Sequence, residues 1–343
     1  MWFRSDNVTG VSPEIWKAMM GVDEGEAAPY GDDQLTVALG PRFSALFERE
    51  CIVCPVTSGV AANALALSLV TGPLDAAISH ANAHVATSEG GAFEFFTQGG
   101  RLLTLPGPDG KLASDELERF LSGIDFKRAE TIPPRSLTIT QATERGTLYT
   151  LHEIQALASV AKRYGLRVHM DGARIANALV SLECRPADVT WRAGIDLLSF
   201  GATKNGTMMA DAIVIFDKAL GLDLAQRRRR SGQSASKMRF MSAQLHAYLS
   251  EDLWLRNAGK ANRAAKRVME GLSGLPGIAI IDPVQVNMMF LRIAPEAIKR
   301  LDKAGIQFRP HRSDSGCYRL VTSFLTSDAL VDDLVQRCRA ALS

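Results

Sequence analysis

Cysteine is scarce, five in 343 residues and scattered, which excludes a disulfide scaffold and points to a reducing compartment. Cys51 and Cys54 have Cys-x-x-Cys spacing. They lie in the apolar run Cys-Ile-Val-Cys-Pro-Val with no second pair near them, so they read as buried strand residues rather than metal ligands. No apolar run is long enough to span a bilayer, and the opening Met-Trp-Phe-Arg-Ser-Asp lacks a signal peptide's apolar core. The expected location is the cytoplasm. Net charge is only +2, so there is no general electrostatic case for nucleic acid or a membrane. The conspicuous exception is the run Arg227-Arg228-Arg229-Arg230. No Gly-x-Gly-x-x-Gly follows any apolar run, which argues against a nucleotide-binding dehydrogenase. Internal repeats and low-complexity linkers are also missing.

What is present is a chain 46% hydrophobic, long enough to bury a large core. Short apolar runs recur at 51–56, 76–78, 101–105, 136–140, 167–170, 196–199 and 212–216, with helical patterns between most of them. That alternation predicts an α/β fold, a mostly parallel seven-stranded sheet with helices on both faces. A long helical stretch over 242–272 then leads to four more short runs, at 278–281, 288–292, 307–309 and 318–321, interleaved with helices. The expected organisation is an N-terminal arm over 1–35, a large domain over 36–241, and a small C-terminal α/β domain with its bridging helix over 242–343.

The chemistry concentrates between Leu166 and Asn205. One β-rich run exits at Asp171-Gly172-Ala173-Arg174, and a second empties into Gly201-Ala202-Thr203-Lys204. Groups at the carboxyl ends of strands line the ligand crevice of an open α/β sheet. An acid and an amine so placed suit pyridoxal phosphate, the amine bonding the aldehyde and the acid pairing with the ring nitrogen. A strand-end Asp can also be only a helix cap, and Lys204 an ordinary surface lysine. Thr57-Ser58-Gly59, between a strand and a helix, offers open backbone N–H groups to a phosphate, though Ser-Gly before a helix is also a common cap. His84, five residues before Glu89-Gly90-Gly91, could stack on a planar cofactor and carry a proton, or be merely structural.

Taken together, Arg4-Ser5-Asp6, Tyr30-Gly31-Asp32-Asp33, Ser58-Gly59, His84 with Glu89-Gly90-Gly91, His169-x-Asp171-Gly172-Ala173-Arg174 and Lys204 resemble the L-threonine aldolases. These are pyridoxal-phosphate enzymes of the aspartate aminotransferase fold type (fold type I), and the resemblance runs the length of the chain. It is nearest the low-specificity bacterial branch, which has Thr-Gln-Ala-Thr-Glu where Thr140–Glu144 stand.

The resemblance implies retro-aldol cleavage of L-threonine and related β-hydroxy-α-amino acids to glycine and an aldehyde. It gives Lys204 as the Schiff-base lysine, Asp171 as the acid at the pyridine nitrogen, His84 as the stacking histidine, and Ser58, Gly59 and Val60 as the phosphate loop. Ser5, Tyr30, Arg174 and Arg319 fall around the substrate, and Arg229 and Arg239 in the segment reaching a neighbouring subunit's cofactor phosphate. No metal site is expected, and the implied assembly is a dimer of dimers. Two departures stand out. Val60 replaces the usual threonine hydroxyl at the phosphate. Glu144 stands where many relatives have a second active-site histidine, so His84 is the first candidate base for the β-hydroxyl and Glu144 the next. A β-phenylserine aldolase or a β-eliminating lyase is the nearest rival. A cofactor-less binding relative would not be expected to keep both Lys204 and Asp171.

Overall fold

The structure, a computed structural model, describes residues 3–311 and 314–343. Its larger sheet has seven strands: β1 (Ile52–Val56), β2 (Ala76–His80), β3 (Arg101–Leu105), β4 (Pro134–Thr140), β5 (Arg167–Gly172), β6 (Leu197–Phe200) and β7 (Asp211–Ile215). They lie in the order β1-β7-β6-β5-β4-β2-β3. All seven coincide with the apolar runs of the sequence. The inner strands β2, β6 and β7 are buried along their whole length, as expected where helices cover both faces. β7 alone runs antiparallel to its neighbours. Its first residue, Asp211, therefore stands at the same sheet edge as the last residues of β1, β5 and β6.

The smaller sheet comprises β8 (Ile278–Ile280), β9 (Met288–Ile293), β10 (Arg309–Pro310) and β11 (Cys317–Val321), antiparallel in the order β10-β11-β9-β8. The helices Leu253–Leu272 and Asp328–Leu342 pack on it around a separate core that includes Leu272, Leu291, Leu320 and Val335. The N-terminal segment laces the two sheets together. Phe3 is buried in the small core and its carbonyl accepts from the Val321 amide (2.9 Å), while the Ser12 amide donates to Gly206 of the large sheet's edge (2.9 Å).

The expected helix over 242–272 is two helices, Arg239–Leu249 and Leu253–Leu272. Glu251 and Asp252 both take left-handed backbone (φ 50° and 52°), which no helix interior accommodates. The apolar period resumes within three residues, so the pattern alone hid the break. The break sets Tyr248 and Trp254 on either side of the Asn205 side chain, which donates to the Tyr248 hydroxyl (2.7 Å) and the Trp254 carbonyl (2.8 Å).

Candidate active site

The ends of β1, β4, β5 and β6 and the start of β7 converge on a cavity of about 240 Å³. Ser58, Gly59, Val60, Asn63, His84, Glu144, Asp171, Arg174, Lys204 and Asp211 all line it. Lys204 follows β6 in a tight turn, Thr203–Asn205, built from several sides. The Ala202 and Thr203 amides donate to the Asp211 carboxylate (2.8 and 2.9 Å), and Asn205 anchors the far side as described above. Gly206 has φ +127°, and a Cβ there would overlap Ser12 Oγ. The turn is thus fixed in one place, with its amine at the sheet edge.

Asp171, the penultimate residue of β5, is buried, and both its oxygens are occupied. Oδ1 accepts from the Ala173 amide (2.9 Å) and Oδ2 from Asn63 Nδ2 (2.9 Å). The same Asn63 nitrogen donates to Glu89 Oε1 (2.8 Å), which also holds His84 Nδ1 (2.9 Å). Asn63 sits inside the helix Gly59–Ser68, which opens with Ser58 as its cap, the hydroxyl accepting from the Ala61 amide (3.3 Å). The first N–H groups of that helix lack intrahelical partners by construction and face the cavity side of the turn.

Burial lowers the proton affinity of the Lys204 amine, with the Arg174 charge acting in the same direction, which favours the neutral, nucleophilic form. His84 shifts the other way: its hydrogen bond to Glu89 raises it, and the Asp171 charge adds to that. Glu144 is pushed up to about 7, first by burial and then by the Asp171 charge. Its Oε1 accepts from the His84 amide (2.7 Å) and the Thr140 hydroxyl (3.1 Å), and its Oε2 is buried with no partner.

Arg174 is committed to Asp6 through two bonds, Nε to Oδ2 (2.7 Å) and Nη2 to Oδ1 (2.9 Å). Burial alone would raise the Asp6 carboxyl, but Arg174 more than reverses it and holds it low. Arg319, on β11, has no carboxylate within ion-pair reach among the described residues. Burial and the neighbouring Arg174 and Arg309 charges lower its proton affinity.

Five of the residues suggested by the sequence do not line the cavity; Arg319 is one of them, outside the lining though close enough to feel the Arg174 charge. Ser5 caps the short turn Asp6–Val8, and its neighbour Asn7 reaches the cavity wall instead. Tyr30 is exposed, with its ring beneath the Arg229 guanidinium (4.6 Å) and its carbonyl accepting from Arg228 (3.0 Å). Tyr30 also has left-handed backbone (φ 62°). Arg229 and Arg239 do not line this chain's cavity either; Arg239 donates to the Gly25 carbonyl (3.3 Å). The sequence reading assigned no role to Asn63, Asp211 or the Asp6–Arg174 pair. The only signal for Glu89 was its place in a motif.

Residues 3–296 match the sequence profile of the family described as beta-eliminating lyase. The chain is 40% identical to the low specificity L-threonine aldolase of Pseudomonas sp. (strain NCIMB 10558), over 99% of this chain and 98% of that protein. It is 39% identical to the low specificity L-threonine aldolase of Pseudomonas aeruginosa, over 99% and 97%. Among solved structures, a Leishmania major threonine aldolase superposes with a TM-score of 0.90 at 27% identity, covering 99% of both chains. The aspartate aminotransferase of Thermus thermophilus shares the fold (TM-score 0.71 at 17% identity, over 98% of this chain and 89% of that one).

Proposed function

We propose that this chain, which belongs to the beta-eliminating lyase family, is a pyridoxal 5'-phosphate-dependent carbon–carbon lyase. It would cleave L-threonine, L-allo-threonine and similar β-hydroxy-α-amino acids to glycine and an aldehyde. The observation that carries the reading is the cavity itself, where a buried acid (Asp171), a lysine with lowered proton affinity (Lys204) and a helix start (Ser58–Gly59) meet. The donor set fits the cofactor. Asp171 would face the ring nitrogen, Lys204 the aldehyde carbon, and the Ser58 hydroxyl with the Gly59 and Val60 amides the phosphate. Gly59 leaves room for that approach, since a Cβ there would meet nothing nearer than Asp211 Oδ2 at 3.9 Å.

Pyridoxal phosphate, when bound, supplies the sink for the electron pair left on Cα as the Cα–Cβ bond breaks. The protein's own groups decide which bond that is. Arg319, which pairs with no carboxylate among the described residues, takes the substrate carboxylate bidentately. Arg174, already held by Asp6, adds charge beside it. With the carboxylate fixed, the β-carbon and its hydroxyl are directed to the wall formed by His84 and Glu144. His84 takes the hydroxyl proton, a contribution of about 10²–10⁴-fold for a well-placed base.

Arg229 and Arg239 act across an interface, which requires a partner chain, and the likeness to threonine aldolases supports a dimer of dimers. Light scattering tests that: a fully active monomer would refute it. The reaction is tested by the visible absorption spectrum of the purified protein, followed by L-threonine with coupled alcohol dehydrogenase. A visible band with acetaldehyde release is expected. A band without aldehyde would transfer the reading to phenylserine or elimination substrates. A colourless protein that pyridoxal phosphate cannot reconstitute would overturn it.

A further inference from the structure

Glu89 is buried, acidic and unused by the cleavage described above. Its side chain is closed to solvent behind His84, and the contact with His84 is the only ion pair it makes among the described residues. Oε1 accepts from His84 Nδ1 (2.9 Å) and Asn63 Nδ2 (2.8 Å), while Oε2 is buried without a partner. A carboxylate this deep needs a fixed, charge-matched neighbour. An ionised carboxylate can only accept hydrogen bonds. Against such a carboxylate, Nδ1 of His84 carries the hydrogen in the neutral ring as well as in the cation, and Nε2 is the nitrogen left for the cavity. The other groups facing His84 are Asp171 and Lys204, of opposite sign, and Glu144, which holds the His84 backbone amide.

We propose that Glu89 is a positioning residue for the aldol step: it fixes His84 in the Nδ1–H tautomer with Nε2 as the proton acceptor, and Asn63 ties that pair to Asp171. The proton of the β-hydroxyl passes to Nε2, and the O–H pair becomes the carbonyl π bond of the departing aldehyde. The Cα–Cβ pair stays with Cα, and the imidazolium is held against Glu89. Nε2 then returns its proton to solvent, and a proton added at Cα completes glycine, so no other reactant is consumed. This is the logic of a buried carboxylate behind a basic imidazole. Its consequence for catalysis rests on the aldol reading above; its geometry does not.

The test combines ring-nitrogen NMR of the six histidines in the cofactor-free protein with kinetics of the loaded enzyme. Glu89→Gln keeps an acceptor oxygen under Asn63 and His84 but removes the charge. In the wild type, neutral His84 should carry its hydrogen on Nδ1. In Glu89→Gln its titration midpoint should fall by about one pH unit or more. Threonine cleavage should fall about 10²–10⁴-fold at nearly constant KM. Exchange of the glycine Cα hydrogen, which needs no hydroxyl base, should fall far less. A wild-type Nε2–H tautomer overturns the proposal even if the variant does not fold. So does an unmoved midpoint, or glycine exchange falling in step with cleavage. If the wild type releases no aldehyde from any β-hydroxy amino acid, the functional reading fails, and the two NMR results still judge Glu89 separately.

Discussion

The wall that holds His84 and Asp171 and the basic segment 227–239 are built on opposite principles. On the wall, side chains hold one another within one chain: Asn63 bridges Glu89 and Asp171, Glu89 holds His84, and Asp6 holds Arg174. The basic segment is also anchored, since Gln233 Oε1 accepts from both the amide and the hydroxyl of Thr57 (2.9 and 3.0 Å), next to the Ser58–Gly59 helix start. Yet among the described residues none of Arg227–Arg230, nor Arg239, has an ion-pair partner, and the buried Nε atoms of Arg227, Arg228 and Arg239 have no hydrogen-bond acceptor. A cluster of like-charged guanidiniums so placed attracts an anion. The wall's side chains are held within one chain, whereas the segment's guanidiniums meet no carboxylate among the described residues.

The largest expected effects belong to the wall. Lys204→Ala should abolish aldehyde release outright, and borohydride should no longer fix the cofactor to the protein. Reduction onto a different lysine would show that Lys204 is not the anchor. Asp171→Asn retains an acceptor for the Ala173 amide but loses the charge, equivalent to removing one partner of a buried ion pair. That costs roughly 3–5 kcal/mol, or about 10²–10⁴-fold in cleavage rate, with the fold retained by circular dichroism. Normal turnover by this variant would remove Asp171 from its role.

Next comes stability. Asp6→Asn leaves the Arg174 guanidinium buried and unmatched, and should lower unfolding stability by about 3–5 kcal/mol in a denaturant titration. If the midpoint barely moves, the arm is not the partner that holds Arg174. Glu144 gives a pH-dependent counterpart. Its folded value of about 7 lies above the ordinary 4.5, so the folded state binds a proton more tightly than the unfolded chain. The resulting stabilisation is full below about pH 4.5 and is lost as pH rises through 7, on the order of 3 kcal/mol in all. Glu144→Gln should flatten that part of the stability–pH curve. An unchanged slope would place the titration elsewhere.

The contrast also explains what could be read from the sequence. All seven strands of the large sheet were legible, because buried strands announce themselves as short apolar runs between helical patterns. Asp171 and Lys204 were legible because strand ends carry ligand groups in this architecture. Asn63 was not, since a polar residue within an Ala- and Leu-rich helix looks the same whether it faces solvent or two carboxylates. Asp211 was hidden by topology: only the reversal of β7 brings the start of that strand to the edge where the others end. The Asp6–Arg174 pair joins residues 168 positions apart in the chain, a separation that no local pattern bridges. Tyr30 and the arginines were found by resemblance, but their place in space follows from contacts far apart in the chain, such as the Tyr30 carbonyl on Arg228.

The smallest expected effect is the one that tests whether the basic segment is half of an interface. Losing one charge-assisted contact to a phosphate costs about 1.5–3 kcal/mol, so Arg239→Ala should weaken pyridoxal phosphate about ten- to a hundredfold while cleavage at saturating cofactor changes little. The rim position of Arg229, exposed and resting on Tyr30, predicts the lower end of that range. If a second chain supplies the contact, cofactor affinity in the wild type should itself weaken on dilution below the assembly's dissociation constant. In Arg239→Ala that concentration dependence should be reduced. If affinity is independent of protein concentration and the variant binds as well as the wild type, the arginines hold no phosphate. If the variant binds weakly at every concentration, including in a demonstrable monomer, the segment reaches its own chain's site by moving, and the asymmetry between the two regions belongs to one conformation of a single subunit.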